Sequence, residues 1–303
     1  LNDRTQQQFG VIDMTKPATA KSLKCSFREW GDKHPLGSAV AFFGIWLAAL
    51  IALSAASPLA TRALSGMPAE TRLFLEGISL ASVAIPAIAC PLLLGGSAGR
   101  HFTAVQVVLR FIGGLVAGAA WFALAFGALA ALGVVDTGAS LSVPSLPIWI
   151  IACVLNAAFQ EVLVRGYAFD ALVRGKGAVF ATVVTTAVFA LFHPGAFACG
   201  PVAALQIVAA SVLLTLVRLF SGGLATPIAM HAAWNAIGGI GFGVVSLADD
   251  YPNVFATSLS GPELISGGTM GIEGSVVVLA VTCALCIAVF AIHCRLRSNS
   301  EGK

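Results

Sequence analysis

The sequence predicts an all-α fold: a polytopic bundle of about eight transmembrane helices around a polar cavity inside the bilayer. Three observations predict it. The 303 residues are 58% hydrophobic and only 10% charged, and the mean hydropathy is +0.91. Apolar runs close to the ~20 residues that a spanning helix needs recur along the chain, at roughly 38–58, 74–95, 107–134, 148–172, 178–193, 202–220, 224–246 and 272–293. Three neighbouring runs are interrupted by Glu161, Arg165, His193, His231 and Asn235. A charge at the centre of a membrane helix costs at least ~2.5 kcal/mol, which makes each ionisable residue there a candidate for function.

In chain order, residues 1–37 form a polar arm with Arg4, Lys16, Lys21, Lys24, Arg28 and Lys33. They do not resemble a cleavable signal peptide, because the first apolar run is long enough to span. The chain opens at Leu1, so an upstream extension or a start at Met14 is left open. The first three runs are rich in Ala, Leu and Gly and read as a packing shell. Gly113, Gly114 and Gly118 allow close helix approach, and Pro86 and Pro91 are expected to kink the second run. Polar side chains begin in the fourth run and end in the seventh. The segment 246–271 contains Gly261-Pro262 and Gly267-Gly268 and reads as irregular surface. Residues 38–293 are expected to be one membrane domain, with 294–303 as a tail and no room for a second folded domain.

The basic residues set the orientation. With the N-terminus in the cytoplasm, the outer side carries only Arg62 and Arg72, so fifteen of the 17 Lys and Arg residues stay inside. That obeys the retention of positive charge on the cytoplasmic side. The segment 246–271 would lie outside with Asp249, Asp250 and Glu263 and no basic residue. An even number of spans with both termini cytoplasmic, in the plasma (inner) membrane, is the expected topology. The net charge of +3 belongs to these flanks and gives no reason to expect nucleic acid as a partner. The partner that composition implies is the lipid bilayer. Cys25, Cys90, Cys153, Cys199, Cys283, Cys286 and Cys294 lie mostly in apolar runs, where a thiol packs as a small hydrophobe. Cys283 and Cys286 form a C-x-x-C without a second pair nearby, so no redox or metal role is read from them.

The polar residues share spacings. Glu161 and Arg165 are four apart in the fourth span and can pair on one helical face; alone, that is equally a structural ion pair. Phe189 and His193 are four apart in the fifth, with Pro194 ending the helix; a lone His near a membrane edge is more often a hydrogen-bonding anchor than a catalyst. His231 and Asn235 are four apart in the seventh, whose start is read as Thr226 capping and Pro227 in the first turn. At 1.5 Å per residue, Glu161 lies ~16 Å, His193 ~22 Å and His231 ~13 Å from the inner ends of their helices, so all three can meet at one depth.

A carboxylate and two imidazoles around water can hydrolyse an amide, one group taking the proton and others stabilising the oxyanion. Glu161, His193 and His231 could also hold a divalent metal such as zinc, although the H-E-x-x-H spacing is absent. Water activation that requires no cofactor is preferred, with the metal left open.

The ordered set Glu161-x-x-x-Arg165-Gly166, Phe189-x-x-x-His193 and His231-x-x-x-Asn235 resembles the CAAX-processing and bacteriocin-processing (CPBP, or Abi) intramembrane endopeptidases, over about residues 148–240. The resemblance implies a helix bundle around a conical cavity and a peptide or lipidated C-terminal tail as substrate. It implies that His193 assists a base and that His231 and Asn235 form an oxyanion hole. The family's first motif has two adjacent glutamates, of which the first activates water. Here Glu161 matches the second, and Gln160 stands in place of the first. Gln160 accepts no proton at neutral pH, so Glu161 or His193 serves as base, or the chain is a non-hydrolytic relative that acts as a membrane scaffold or bacteriocin-immunity factor. Because intramembrane Glu and His also build relays, a proton-coupled transporter is the second alternative.

Overall fold

The computed structural model describes residues 20–96, 102–246 and 251–301. Most of the N-terminal arm (residues 1–19, with Met14), Arg100, Asp249, Asp250 and Lys303 lie outside the described residues. The order is α1 (Ala20–Lys33), α2 (Pro35–Ser54), α3 (Ser57–Ala63), α4 (Pro68–Leu94), α5 (Ala104–Ala131), β1 (Val135–Ser140), α6 (Leu146–Arg165), α7 (Tyr167–Leu191), α8 (Pro194–Ala198), α9 (Pro201–Ser221), α10 (Ala225–Asn235), β2 (Phe255–Leu259), α11 (Glu263–Ser266) and α12 (Val276–Glu301). The structure is an all-α polytopic bundle.

Among the described residues, six stretches are long and apolar enough to cross a membrane, among them Leu146–Leu191, which contains both α6 and α7. Helices are favoured there because each satisfies its own backbone without water. Large apolar side chains point outward, with Val116 65%, Val179 80% and Ile287 70% exposed. That is the pattern of a surface solvated by acyl chains, while charged groups turn inward.

Three expectations on the elements need correction. The fourth run does not continue to residue 172: α6 ends at Arg165, and Gly166 leaves helical geometry (φ −87°, ψ −137°). A Cβ on Gly166 would lie 2.3 Å from the Val162 carbonyl oxygen, so this break needs glycine. A second break falls inside α7 at Gly177, with φ +84°. Thr226 is not a cap. α10 begins at Ala225 after Leu224, without a side-chain cap bond, and Pro227 still falls in the first turn, where no N–H is needed. Residues 251–271 are more ordered than expected: β2 pairs antiparallel with β1, Val135 opposite Leu259, and Val245 bridges Gly271.

Contacts define two ends of the bundle. At one end Arg174 bonds the Gly96 carbonyl, Arg110 bonds the Ser221 carbonyl, and α12 runs out to its C-terminus. At the other end lie the β1–β2 ribbon, the Trp149–Tyr251 ring pair and α8, where Cys199 meets Thr269. Gly114 and Gly118 let α5 lie against α10: a Cβ on either would come within 2.4 Å of the Thr226 or Met230 carbonyl oxygen. Gly113 has open space at its Cβ position, so only two of the three glycines serve close approach.

Candidate active site

The site begins with an ion pair in the last turn of α6. Arg165 Nη1 donates to Glu161 Oε1 at 2.8 Å, and neither residue is exposed. The i,i+4 spacing brings the two together. Arg165 also reaches α9, donating from Nη2 to the Ser211 carbonyl (2.8 Å) and from Nε to Thr215 Oγ1 (3.2 Å). Its guanidinium lies 5.1 Å from the Phe189 ring centre. A buried guanidinium needs this many partners, because an uncompensated charge in a low-dielectric interior is strongly destabilising.

Glu161 Oε1 takes a second partner from α10, His231 Nδ1 at 3.0 Å. One carboxylate oxygen therefore joins α6 to α10. Glu161 Oε2 is buried without a hydrogen-bond partner. The Trp121 and Trp234 rings stack at 3.9 Å beside this helix contact.

His193 follows α7 as the residue before α8. It therefore sits past the end of the fifth span rather than inside it. Its Nδ1 lies 2.8 Å from the Phe189 carbonyl oxygen. A carbonyl only accepts, so Nδ1 carries the hydrogen, and the neutral ring keeps a lone pair on Nε2. The Phe189 ring stands between the imidazoles, 4.5 Å from His193 and 5.9 Å from His231 by ring centres.

Gln160, His193, His231 and Asn235 line one cavity of about 550 Å³. Glu161 and Arg165 do not line it; they stand behind His231. The first three spans are not a passive shell. α4 brings Arg72 and Glu76 to the wall and α5 brings Trp121, while Glu273 closes the wall from the turn before α12. Sequence reading missed Glu76, Asn156 and Glu273. Glu76 carried a usable signal: an acidic residue nine positions into an apolar helix, four after Arg72.

Among the described residues no three His, Cys, Asp or Glu side chains are grouped to hold a metal ion. Of the three side chains that could share a metal, His193 and His231 line the cavity and Glu161 does not, its Oε1 being engaged by a guanidinium and by His231 Nδ1.

Residues 142–237, from the approach to α6 through α10, match the family model described as type II CAAX prenyl endopeptidase Rce1-like. The matched segment contains all three motifs, so the resemblance read from them is borne out, and the family is one of CAAX-type proteases. No curated protein and no solved structure shows significant similarity to the chain.

Proposed function

We propose that the chain is an intramembrane endopeptidase that cleaves a peptide held in the α4–α6–α10 cavity, using water activated by His193. The observation that carries this reading is the His193 tautomer. Its Nδ1–H is committed to Phe189, so Nε2 is available as a proton acceptor on the wall. Glu161 does not serve as base, since it is fully buried behind His231.

The steps follow from these positions. Water gives a proton to His193 Nε2 as its oxygen attacks the peptide carbonyl carbon. The carbonyl oxygen becomes an oxyanion, which Asn235 and His231 face. His231 donates through Nε2 only as an imidazolium, because its Nδ1–H already points at Glu161. The Glu161 carboxylate offsets that charge, and Arg165 holds the carboxylate in place. The carbon–nitrogen bond then breaks, and the proton on His193 passes to the departing amine. Preorganised donors aimed at a developing oxyanion are commonly the largest contribution to such catalysis.

The orientation follows from charge. Lys33, Arg110, Arg174, Lys176, Arg218 and Arg295 gather at the end holding the C-terminus, and Arg62 and Arg72 at the other. Retention of positive charge puts the first end in the cytoplasm. The cavity is walled by Arg72, Ser246, Tyr251, Met270 and Glu273, so it faces the non-cytoplasmic side. The substrate is a peptide presented there. A second, apolar groove on the lipid side of α7 and α9 shares Pro194 with the cavity, a place for a lipid chain if the peptide carries one.

Purified protein in liposomes, given a quenched-fluorescence peptide with and without an isoprenyl group, tests the reading. Cleavage by wild type, lost in His193→Ala and His231→Ala, is the expected result. Gln160 favours one other reading, a membrane scaffold that binds the peptide without cutting it. Binding with no cleavage by wild type would replace the peptidase with that scaffold.

A further inference from the structure

The cavity wall holds a chain of three side chains from two helices. Glu76 Oε2 accepts from Asn156 Nδ2 at 3.0 Å. Asn156 Oδ1 accepts from Gln160 Nε2 at 2.9 Å. Arg72 Nη1 lies 3.3 Å from Glu76 Oε1 and fixes the carboxylate from the other side. Glu76 is 5% and Gln160 8% exposed.

The direction of this chain is set at one end. An ionised carboxylate only accepts, whereas an amide has one accepting and one donating end. Asn156 must therefore turn its NH2 to Glu76 and its oxygen to Gln160. Gln160 must then spend its NH2 on Asn156. What remains is Gln160 Oε1, buried and without a hydrogen-bond partner, in a residue that lines the cavity. A buried acceptor left unpaired costs ~1–3 kcal/mol, so a donor that reached this oxygen from the cavity beside it would be held there.

We propose that Glu76, acting through Asn156, is a positioning residue that turns the Gln160 carbonyl oxygen into the cavity to orient the attacking water. The inference rests on the peptidase reading. Water donates one hydrogen to Gln160 Oε1 and the other to His193 Nε2, which leaves an oxygen lone pair for the peptide carbon. Only the hydrogen on His193 moves in the reaction. Gln160 accepts a hydrogen bond and takes no proton, so the chemistry does not require a glutamate at that position.

The test reverses the chain. In Glu76→Gln the terminal group donates as well as accepts, so the direction of the two amides is no longer fixed. The kcat is expected to fall about ten- to a hundredfold, as misorientation of a reacting group does, with KM within about twofold. Gln160→Glu alone sets two acceptors against each other, either at Asn156 Oδ1 or, after an amide flip, at Glu76. Glu76→Gln combined with Gln160→Glu lets the chain run the other way, from an amide on α4 through Asn156 to a carboxylate on α6. The double variant is expected to exceed Gln160→Glu in kcat by at least about tenfold and to melt roughly 2–4 °C higher. Its kcat should also gain an acid limb as the new carboxylate titrates. Wild-type kcat in Glu76→Gln, or additive effects in the double variant, would overturn the positioning role while leaving the peptidase reading intact. A wild-type chain that cleaves nothing would overturn both, and non-additive melting would then still report the oriented amides.

Discussion

His231 Nδ1 and Arg165 Nη1 meet on the same oxygen, Glu161 Oε1, at 3.0 Å and 2.8 Å. The shared acceptor couples stability to activity through a residue that never reaches the cavity. Replacing Arg165 by Leu leaves Glu161 ionised without its guanidinium and is expected to destabilise the protein by about 3–5 kcal/mol. Adding Glu161→Gln removes the stranded charge while keeping an oxygen for His231 Nδ1. The double variant should regain much of the melting temperature and remain inactive, since the proposed mechanism needs a carboxylate behind His231. Melting in detergent and a peptidase assay on the same samples check this. Recovered activity in the double variant would remove Glu161 from the mechanism.

Gly114 and Gly118 carry a second prediction. α5 touches the α10 backbone through them, and α10 presents His231 and Asn235. Gly118→Val forces bulk to within 2.4 Å of the Met230 carbonyl oxygen, one residue before His231. It is expected to cost about 1–3 kcal/mol as overpacking and to lower kcat by displacing His231 and Asn235, the proposed oxyanion donors. Gly113→Ala, which meets nothing within 4 Å, is the matched control and should change neither quantity by a measurable amount. Equal effects at both glycines would show that the contact does not position the site.

The helices that hold the three motifs were legible because their pairs are four residues apart. That spacing fixes Glu161 on Arg165 and His231 above Asn235 before any tertiary contact is known. The meeting of His231 with Glu161 was legible too, though not by the depth argument used for it. Gly166 breaks the helix one residue after Arg165, so Glu161 lies about 6 Å from the end of α6 rather than ~16 Å. The break was hidden because the apolar run continues through Leu172 and periodicity alone does not mark a glycine that leaves helical geometry. Glu76 was missed for another reason. It is a single acid in the second span, far in sequence from the motifs, and only the α4–α6 contact brings it to Asn156. Glu273 belongs to a turn held by the Ile272 N–H on the Val244 carbonyl, a long-range bond that no local pattern announces.

Two native cysteines report the orientation. Cys199 is exposed beside α8, and Cys294 is exposed near the far end of α12. They lie at opposite ends of the bundle. In intact cells, a membrane-impermeant maleimide is expected to label a chain that keeps Cys199 alone and to spare one that keeps Cys294 alone. Inside-out vesicles should give the reverse. Labelling of Cys294 from outside would invert the topology and place the cavity on the cytoplasmic side, open to tails made there.

Glu273 sets a pH dependence of stability. It lies in the turn Ile272–Gly274, ahead of the last span, and accepts from Trp234 Nε1 at 3.3 Å and the Ser246 N–H at 3.2 Å. Burial outweighs those two donors and pushes its carboxyl from 4.5 up to about 7. Between those values the folded chain holds a proton that the unfolded chain has released. Stability therefore falls as pH rises through this window, and the contribution is complete below about 4.5. A shift of this size corresponds to a stability change of order 3 kcal/mol. In Glu273→Gln that part of the slope should vanish, so the variant would melt closer to wild type at pH 5 and above it at pH 7.5, roughly bracketing the window. Parallel melting curves for the two proteins across that range would mean that the Glu273 carboxyl is not held protonated by the fold.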